Sequence, residues 1–196
     1  MILFFDTETT GLPKSWRAAT SDVDNWPRTV QLAWLTFDLR GRRKTAHSHV
    51  IRPDGYVIPK EAERVHGIST SAAKRKGVPI EDVLESFIKP LSRASVLVAH
   101  NFKFDSKVLG AEFLRLGYPD PFIRKKHICT MVSSTEYCAL PGPYGYKWPK
   151  LSELHFTLFG NRVKETHNAI DDVETCSRCF FELKRLRLIP MPRVAS

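Results

Sequence analysis

A chain of 196 residues, 42% of them apolar and 26% charged, can bury a core without disulfide or metal staples. It carries no apolar run near the ~18 residues of a membrane-spanning helix. Thirty Lys and Arg against 21 Asp and Glu leave a net charge of +9, which suits a polyanionic partner as well as it suits a merely solvated surface.

The opening MILFF is too short and too poor in flanking basic residues for a secretory signal. Cys129, Cys138, Cys176 and Cys179 include one C-x-x-C pair but no second pair at zinc-ribbon spacing. Reduced thiols and a cytoplasmic location are therefore expected. No repeat, low-complexity segment or linker divides the chain. A single domain is expected over residues 1–188, with a short tail at 189–196.

In chain order, Met1 to Phe5 is a continuous apolar run, the pattern of a strand buried on both faces, and turn-forming Gly11 and Pro13 follow soon after. Residues 14–28 are polar and aperiodic and read as a surface loop. TVQLAWLTFDL and TAHSHVIRP then read as strands flanking the basic LRGRRK, so a three-strand meander is expected. Ile80, Val83, Leu84, Phe87 and Leu91 recur at helical spacing behind Pro79, with Pro90 expected to interfere with continuation. SVLVAHN is a further buried strand. It runs into a helix striped by Phe102, Val108, Leu109, Phe113 and Leu116 and closed by Gly117.

A short strand at His127 to Cys129 precedes a helical piece from about Met131 and then the turn-rich PGPYGYKWPK. Tyr144, Tyr146 and Trp148, interleaved with Lys147 and Lys150, fit either a base-stacking surface or an aromatic loop packed over the last helices, the second being favoured. Helices are expected at Leu151 to Leu158 and from Ala169 to about Leu188, the latter registered by Val173, Cys176, Phe180 and Leu183. The order β-β-β-α-β-α-β-α implies an α/β protein.

Four acids stand out against these elements. Asp6 and Glu8 end the first strand one residue apart, so they point to the same side. Like charges held that close repel unless a cation lies between them. Asp105 falls in the first turn of its helix, in the buried register of Phe102 and Leu109, where an acid needs a partner. In the last helix Asp172 flanks the apolar face, whereas Asp171 lies opposite it and reads as a solvated acid favoured by the helix dipole. His167 precedes that helix on a loop.

FFDTETTGL, VAHNFKFD and HNAIDD resemble, in order and spacing, the three motifs of the DEDDh, or DnaQ-like, 3′→5′ exonucleases. The resemblance covers nearly the whole chain and implies a ribonuclease H-like fold: a central mixed sheet, a three-strand antiparallel meander plus parallel strands, flanked by helices. It implies Asp6, Glu8, Asp105 and Asp172 as ligands of two Mg²⁺ or Mn²⁺ ions and His167 as the general base. It also puts Thr7, Thr9, Thr10, Leu12, Asn101, Phe102 and His66, the last within VHGI, on the substrate side.

The expected reaction is release of 5′-mononucleotides from the 3′ end, since four carboxylates can hold a metal pair that activates water and stabilises phosphoryl charge. Histidine suits the base, because its ordinary titration lies near neutral pH. DNA is favoured over RNA, with an oligoribonuclease-type enzyme and a non-catalytic nucleic-acid-binding subunit as the alternatives. A polymerase partner and a homodimer are both compatible with the sequence. The long loop after Pro13 and the 140–150 segment depart from the family pattern.

Overall fold

The computed structural model describes residues 1–163 and 166–189. A five-stranded mixed sheet holds, in spatial order, residues 43–50, 29–37, 2–9, 96–99 and 127–129. Its first strand, β1 (Ile2–Thr9), pairs antiparallel with β2 (Thr29–Phe37), which pairs antiparallel with β3 (Arg43–Val50). The meander expected from the sequence is therefore present. Between β3 and the next strand lie three helices, α1 (Lys60–His66), α2 (Thr70–Lys76) and α3 (Ile80–Arg93). The strand β4 (Val96–Ala99) then pairs parallel with β1.

The helix α4 (Phe102–Arg115) follows, and β5 (His127–Cys129) pairs parallel with β4. Two single-turn helices come next, α5 (Thr130–Ser133) and α6 (Thr135–Cys138). A small hairpin, β6 (Pro141–Gly142) with β7 (Gly145–Tyr146), leads into α7 (Leu151–Phe159) and α8 (Ala169–Arg185). No helix among the described residues is long and apolar enough to cross a membrane.

The alternation of side chains along β1 sorts the core into two layers. Ile2 and Phe4 face α8, where they meet Val173, Cys176, Phe180 and Leu183. Leu3 and Phe5 face the other way, onto α3 and α4 through Leu84, Phe87, Leu91, Phe102 and Leu109. Aromatic edges pin both layers: Phe4 lies 5.1 Å from Phe180, and Phe5 lies 5.6 Å from Phe102. Continued past Phe5, the same alternation points Asp6 and Glu8 toward α8 and Thr7 toward α4.

Several expectations need correction. Residues 14–28 do not form a purely surface loop. Trp26 and Asn25 are buried, the Trp26 indole donates to the Ala19 carbonyl, and the Arg115 guanidinium of α4 donates to the carbonyls of Val23 and Trp26. Pro90 does not end its helix, which continues to Arg93. A proline removes one backbone donor, but Leu91 beyond it is buried in the core and holds the last turn in register.

Helices α1 and α2 escape the periodicity reading because each is seven residues long and buries a single alanine. Gly67, in the left-handed region, closes α1, and the Ser69 hydroxyl accepts from Ala72 N–H to cap α2. The aromatic loop does not pack over the last helices, since Tyr144, Tyr146 and Trp148 are all exposed. Of the expected tail, Ile189 packs into the core, and 190–196 lie outside the described residues.

Candidate functional site

At the C-terminal end of β1, carboxylate oxygens of Asp6, Glu8 and Asp172 lie within 4.8 Å of one another. Two come from alternate positions of one strand, and the third from the first turn of α8. The helix start is fixed by Asn168, whose side chain accepts from Ile170 N–H, and by Gln31 of β2, the residue opposite Glu8. The Gln31 amide donates to Asn168 Oδ1 at 3.1 Å and its oxygen accepts from Ala169 N–H at 3.2 Å. The strand carrying one part of the cluster is thereby tied to the helix carrying the other. A glutamine between the apolar residues of TVQLAWLTF is the sequence signal of that role.

Asp105 approaches from the other layer and is not one of the three. It is 3% exposed, and its Oδ1 accepts from both the amide and the hydroxyl of Thr7, at 3.1 and 2.7 Å. The buried acid thus has the partner its register demands, supplied by the odd face of β1. Its charge still reaches the other acids.

Burial and the charges of Asp105, Asp172 and Glu8 hold the Asp6 carboxyl far above the usual range. Burial, then Asp172 and Asp105, push Glu8 up to about 8. Burial pushes Asp105 up to about 7 against the lowering effect of the two Thr7 hydrogen bonds. Such a cluster favours protons or cations at its centre. Its donors are all hard oxygens, the set that fits Mg²⁺ or Mn²⁺.

The acids open into a cleft of about 270 Å³ lined by Asp6, His100, Lys150, His167, Asp171 and Asp172 among others. His167 is exposed, with φ of +46°, and Asp171 is exposed at the rim. Lys150 belongs to the aromatic and basic segment noted in the sequence, whereas His100 was not singled out there. His100 shares hydrogen bonds with Thr130 Oγ1 and the Pro149 carbonyl, both at 3.0 Å, and burial lowers its pKa to about 4. A neutral ring donating through Nε2 to that carbonyl fits both contacts. His100 thereby clamps the base of the 140–150 hairpin beside the cleft.

The residues expected on the substrate side divide. Thr7 and Thr9 are buried and hydrogen-bond within the protein, Thr7 to Asp105 and Thr9 to the Gly11 carbonyl at 2.7 Å. Their odd strand positions point them away from the acid cluster. The Thr10 hydroxyl accepts from Arg28 N–H at 3.0 Å, and Leu12, 74% exposed, stands beyond it. His66 is half-buried, its Nδ1 accepts from Ile68 N–H, and it lies near enough to His167 for that charge to help burial lower its pKa. Asn101, with φ of +72°, turns the chain from β4 into α4, and Phe102 is buried and stacked on His127 at 4.1 Å.

One supporting network was not legible in the sequence. Glu112 of α4, 1% exposed, accepts from Arg28 Nε at 3.0 Å and from Thr29 N–H at 2.8 Å, and pairs with Arg115 at 3.1 Å. Arg28 in turn exchanges hydrogen bonds with Thr10. The strand end that carries Glu8 is thus braced against α4.

Known proteins resemble the chain in both sequence and structure. The family model described as Exonuclease, RNase_T, matches residues 3–180. The chain is 32% identical over 178 residues to DNA polymerase III subunit epsilon of Treponema pallidum (strain Nichols), a match that covers 90% of this chain and 73% of that protein. Among solved structures, the zinc-bound complex of E. coli exonuclease I with single-stranded DNA aligns with a TM-score of 0.75 at 19% identity. A complex of the same enzyme with a dA16 oligonucleotide aligns with a TM-score of 0.72 at 19% identity. These alignments cover 95% of this chain but only 41% and 42% of exonuclease I. At that identity the likeness is one of fold, and the chain spans about two-fifths of that enzyme's length.

Proposed function

The chain belongs to the exonuclease family, and from that membership we propose that it is a metal-dependent 3′→5′ exonuclease releasing 5′-mononucleotides. The observation that carries the reading is the meeting of Asp6, Glu8 and Asp172, from two elements far apart in sequence, at a cleft that Asp6 and Asp172 line.

In this reading Asp6, Glu8 and Asp172 hold a divalent-ion pair, with Asp105 completing the set from the opposite layer. Bound there, Mg²⁺ or Mn²⁺ would supply charge stabilisation to the phosphoryl oxygens and lower the pKa of a water. Thr7 fixes the rotamer of Asp105, and the Gln31–Asn168 contact fixes the first turn of α8. His167, on the exposed loop before α8, takes the proton from the attacking water as general base. Lys150, on the cleft wall, offers a cation to the phosphate.

DNA is the favoured substrate. The similar protein from Treponema pallidum is named as a DNA polymerase subunit, and exonuclease I is described in complex with DNA. The first of those names also supports a polymerase partner and a cytoplasmic place of action.

The test is degradation of 5′-labelled single-stranded DNA, matched duplex, 3′-mismatched duplex and RNA with Mg²⁺ or Mn²⁺. Progressive shortening by wild type, absent with chelator and in Asp6→Ala, is the expected result. An Asp6→Ala variant as active as wild type would remove the acid cluster from the reaction.

A further inference from the structure

Beside the acid cleft lies a second and larger one, of about 850 Å³, toward the upper end of the ~300–1,000 Å³ range of ligand pockets. Two tryptophans line it, Trp16 from the loop after β1 and Trp148 from the hairpin segment. Both belong to the segments that depart from the family pattern. Of the four tryptophans in the chain, Trp26 and Trp34 are buried at 3% and 1% exposure, whereas Trp16 and Trp148 are 46% and 64% exposed. Two indoles left in water at one cleft represent apolar surface awaiting a flat apolar partner.

The surroundings add charge. Lys14 and Arg17 flank Trp16 in sequence, Lys147 and Lys150 flank Trp148, and Lys103 lines the cleft itself. Lys147 is paired with Glu153, so Lys103, Lys14 and Arg17 carry more of the local positive potential. The Trp16 ring has a packing partner, and the backbone next to Trp148 is fixed. Trp16 rests on Phe104 at 5.7 Å, and Trp148 precedes Pro149, which is buried and whose carbonyl is clamped by His100.

That clamp sets the two clefts side by side. His100 lines the acid cleft and Asn101 the aromatic one; Lys150 lines the first and Trp148 the second. A nucleic-acid strand passing from one cleft to the other meets wall residues that are close neighbours along the chain.

We propose that the Trp16–Trp148 cleft is a stacking site for unpaired bases of the substrate strand next to the phosphodiester held at the acid cluster. The inference rests on the exonuclease reading for the identity of that strand. Ring faces and basic side chains in one groove form the chemistry that holds single strands without reading their sequence. Bases inside a duplex have their faces covered by neighbouring pairs, so the cleft selects strands whose ends are single or frayed.

The test is equilibrium binding of 5′-fluorescein oligothymidylates of increasing length, in chelator so that no cleavage occurs, with blunt duplex and oligouridylate as further arms. Wild type is expected to bind more tightly as length increases and to prefer single strand to duplex. Trp16→Ala and Trp148→Ala are each expected to weaken binding of the longer oligomers by ~5- to 150-fold, the range for one stacked base. They should also flatten the length dependence. Trp148→Phe should restore much of the loss, which separates stacking from a collapsed hairpin.

Unchanged affinity in both alanine variants would overturn the proposal, and so would a wild type that binds no single strand. If those variants bind normally while wild type cleaves, the exonuclease reading stands and the stacking site falls. Tryptophan-dependent binding by a wild type that cleaves nothing would support the stacking site and overturn the exonuclease reading.

Discussion

Thr7 grips Asp105 with two donors on one oxygen, its amide at 3.1 Å and its hydroxyl at 2.7 Å, across 98 residues of sequence. The contact joins the odd face of β1 to α4, while the even face of the same strand presents Asp6 and Glu8 to α8. One strand end therefore addresses acids in both layers.

Thr7→Val keeps the shape and removes the hydroxyl donor from a buried carboxylate. A hydrogen bond to a charged group contributes about 1.5–3 kcal/mol, and urea unfolding at about pH 8, above the value of about 7 to which Asp105 is raised, should show a loss of that order, with Thr7→Ser losing less. Equal stability of the valine and serine variants would mean that the hydroxyl does not support Asp105.

The acid cluster makes the metal-free protein pH-sensitive. Glu8 moves from an ordinary 4.5 to about 8 and Asp105 from 3.8 to about 7. An acid whose pKa is raised on folding binds its proton more tightly in the native state, so the native state loses ground as pH rises between the two values. In chelator, this contribution is intact below about pH 4 and is lost progressively toward pH 8. Thermal unfolding should show a falling midpoint over that span, and saturating Mg²⁺ should flatten the fall. A midpoint that rises across the window in chelator would contradict the assigned shifts.

His167 stands exposed at the cleft rim, so the fold gains little from its side chain. His167→Ala should lower kcat by roughly 10²–10⁴-fold while the unfolding midpoint stays within error of wild type. Near-normal turnover in steady-state assays of 3′-end release would assign the base elsewhere.

Glu112 is the hub of the brace beneath the strand end, and its loss leaves Arg115 and part of Arg28 without a counter-charge. Breaking a buried ion pair from one side costs about 3–5 kcal/mol. Glu112→Ala should therefore unfold at markedly lower denaturant, whereas Glu174→Ala, which removes the exposed pair with Arg43, should shift the transition by less than about 1 kcal/mol. Comparable effects from the two substitutions would deny Glu112 its bracing role.

What can be read along the chain is what lies within a few residues. The period of two in MILFFDTET sets a buried strand with two acids on one side at its end, and the 3.6 period around Asp105 turns that acid inward. The wheel of the last helix separates Asp172 from Asp171. The antiparallel meander of the first three strands follows from the same local patterns, but the place of β4 beside β1 rather than beside its predecessor β3 does not.

What the tertiary structure decided are the meetings between distant residues. Gln31 reaches Asn168 across 137 positions, Glu112 gathers Arg28 and Thr29 from more than eighty away, and His100 clamps the carbonyl of Pro149. A side chain's sequence neighbours cannot say which of these partners it will find, because sheet pleat and helix packing assign the face and the partner together. For that reason Thr7 and Thr9, adjacent to the acids in sequence, turn away from the cluster, and Trp16 and Trp148, 132 positions apart by their numbering, line one cleft.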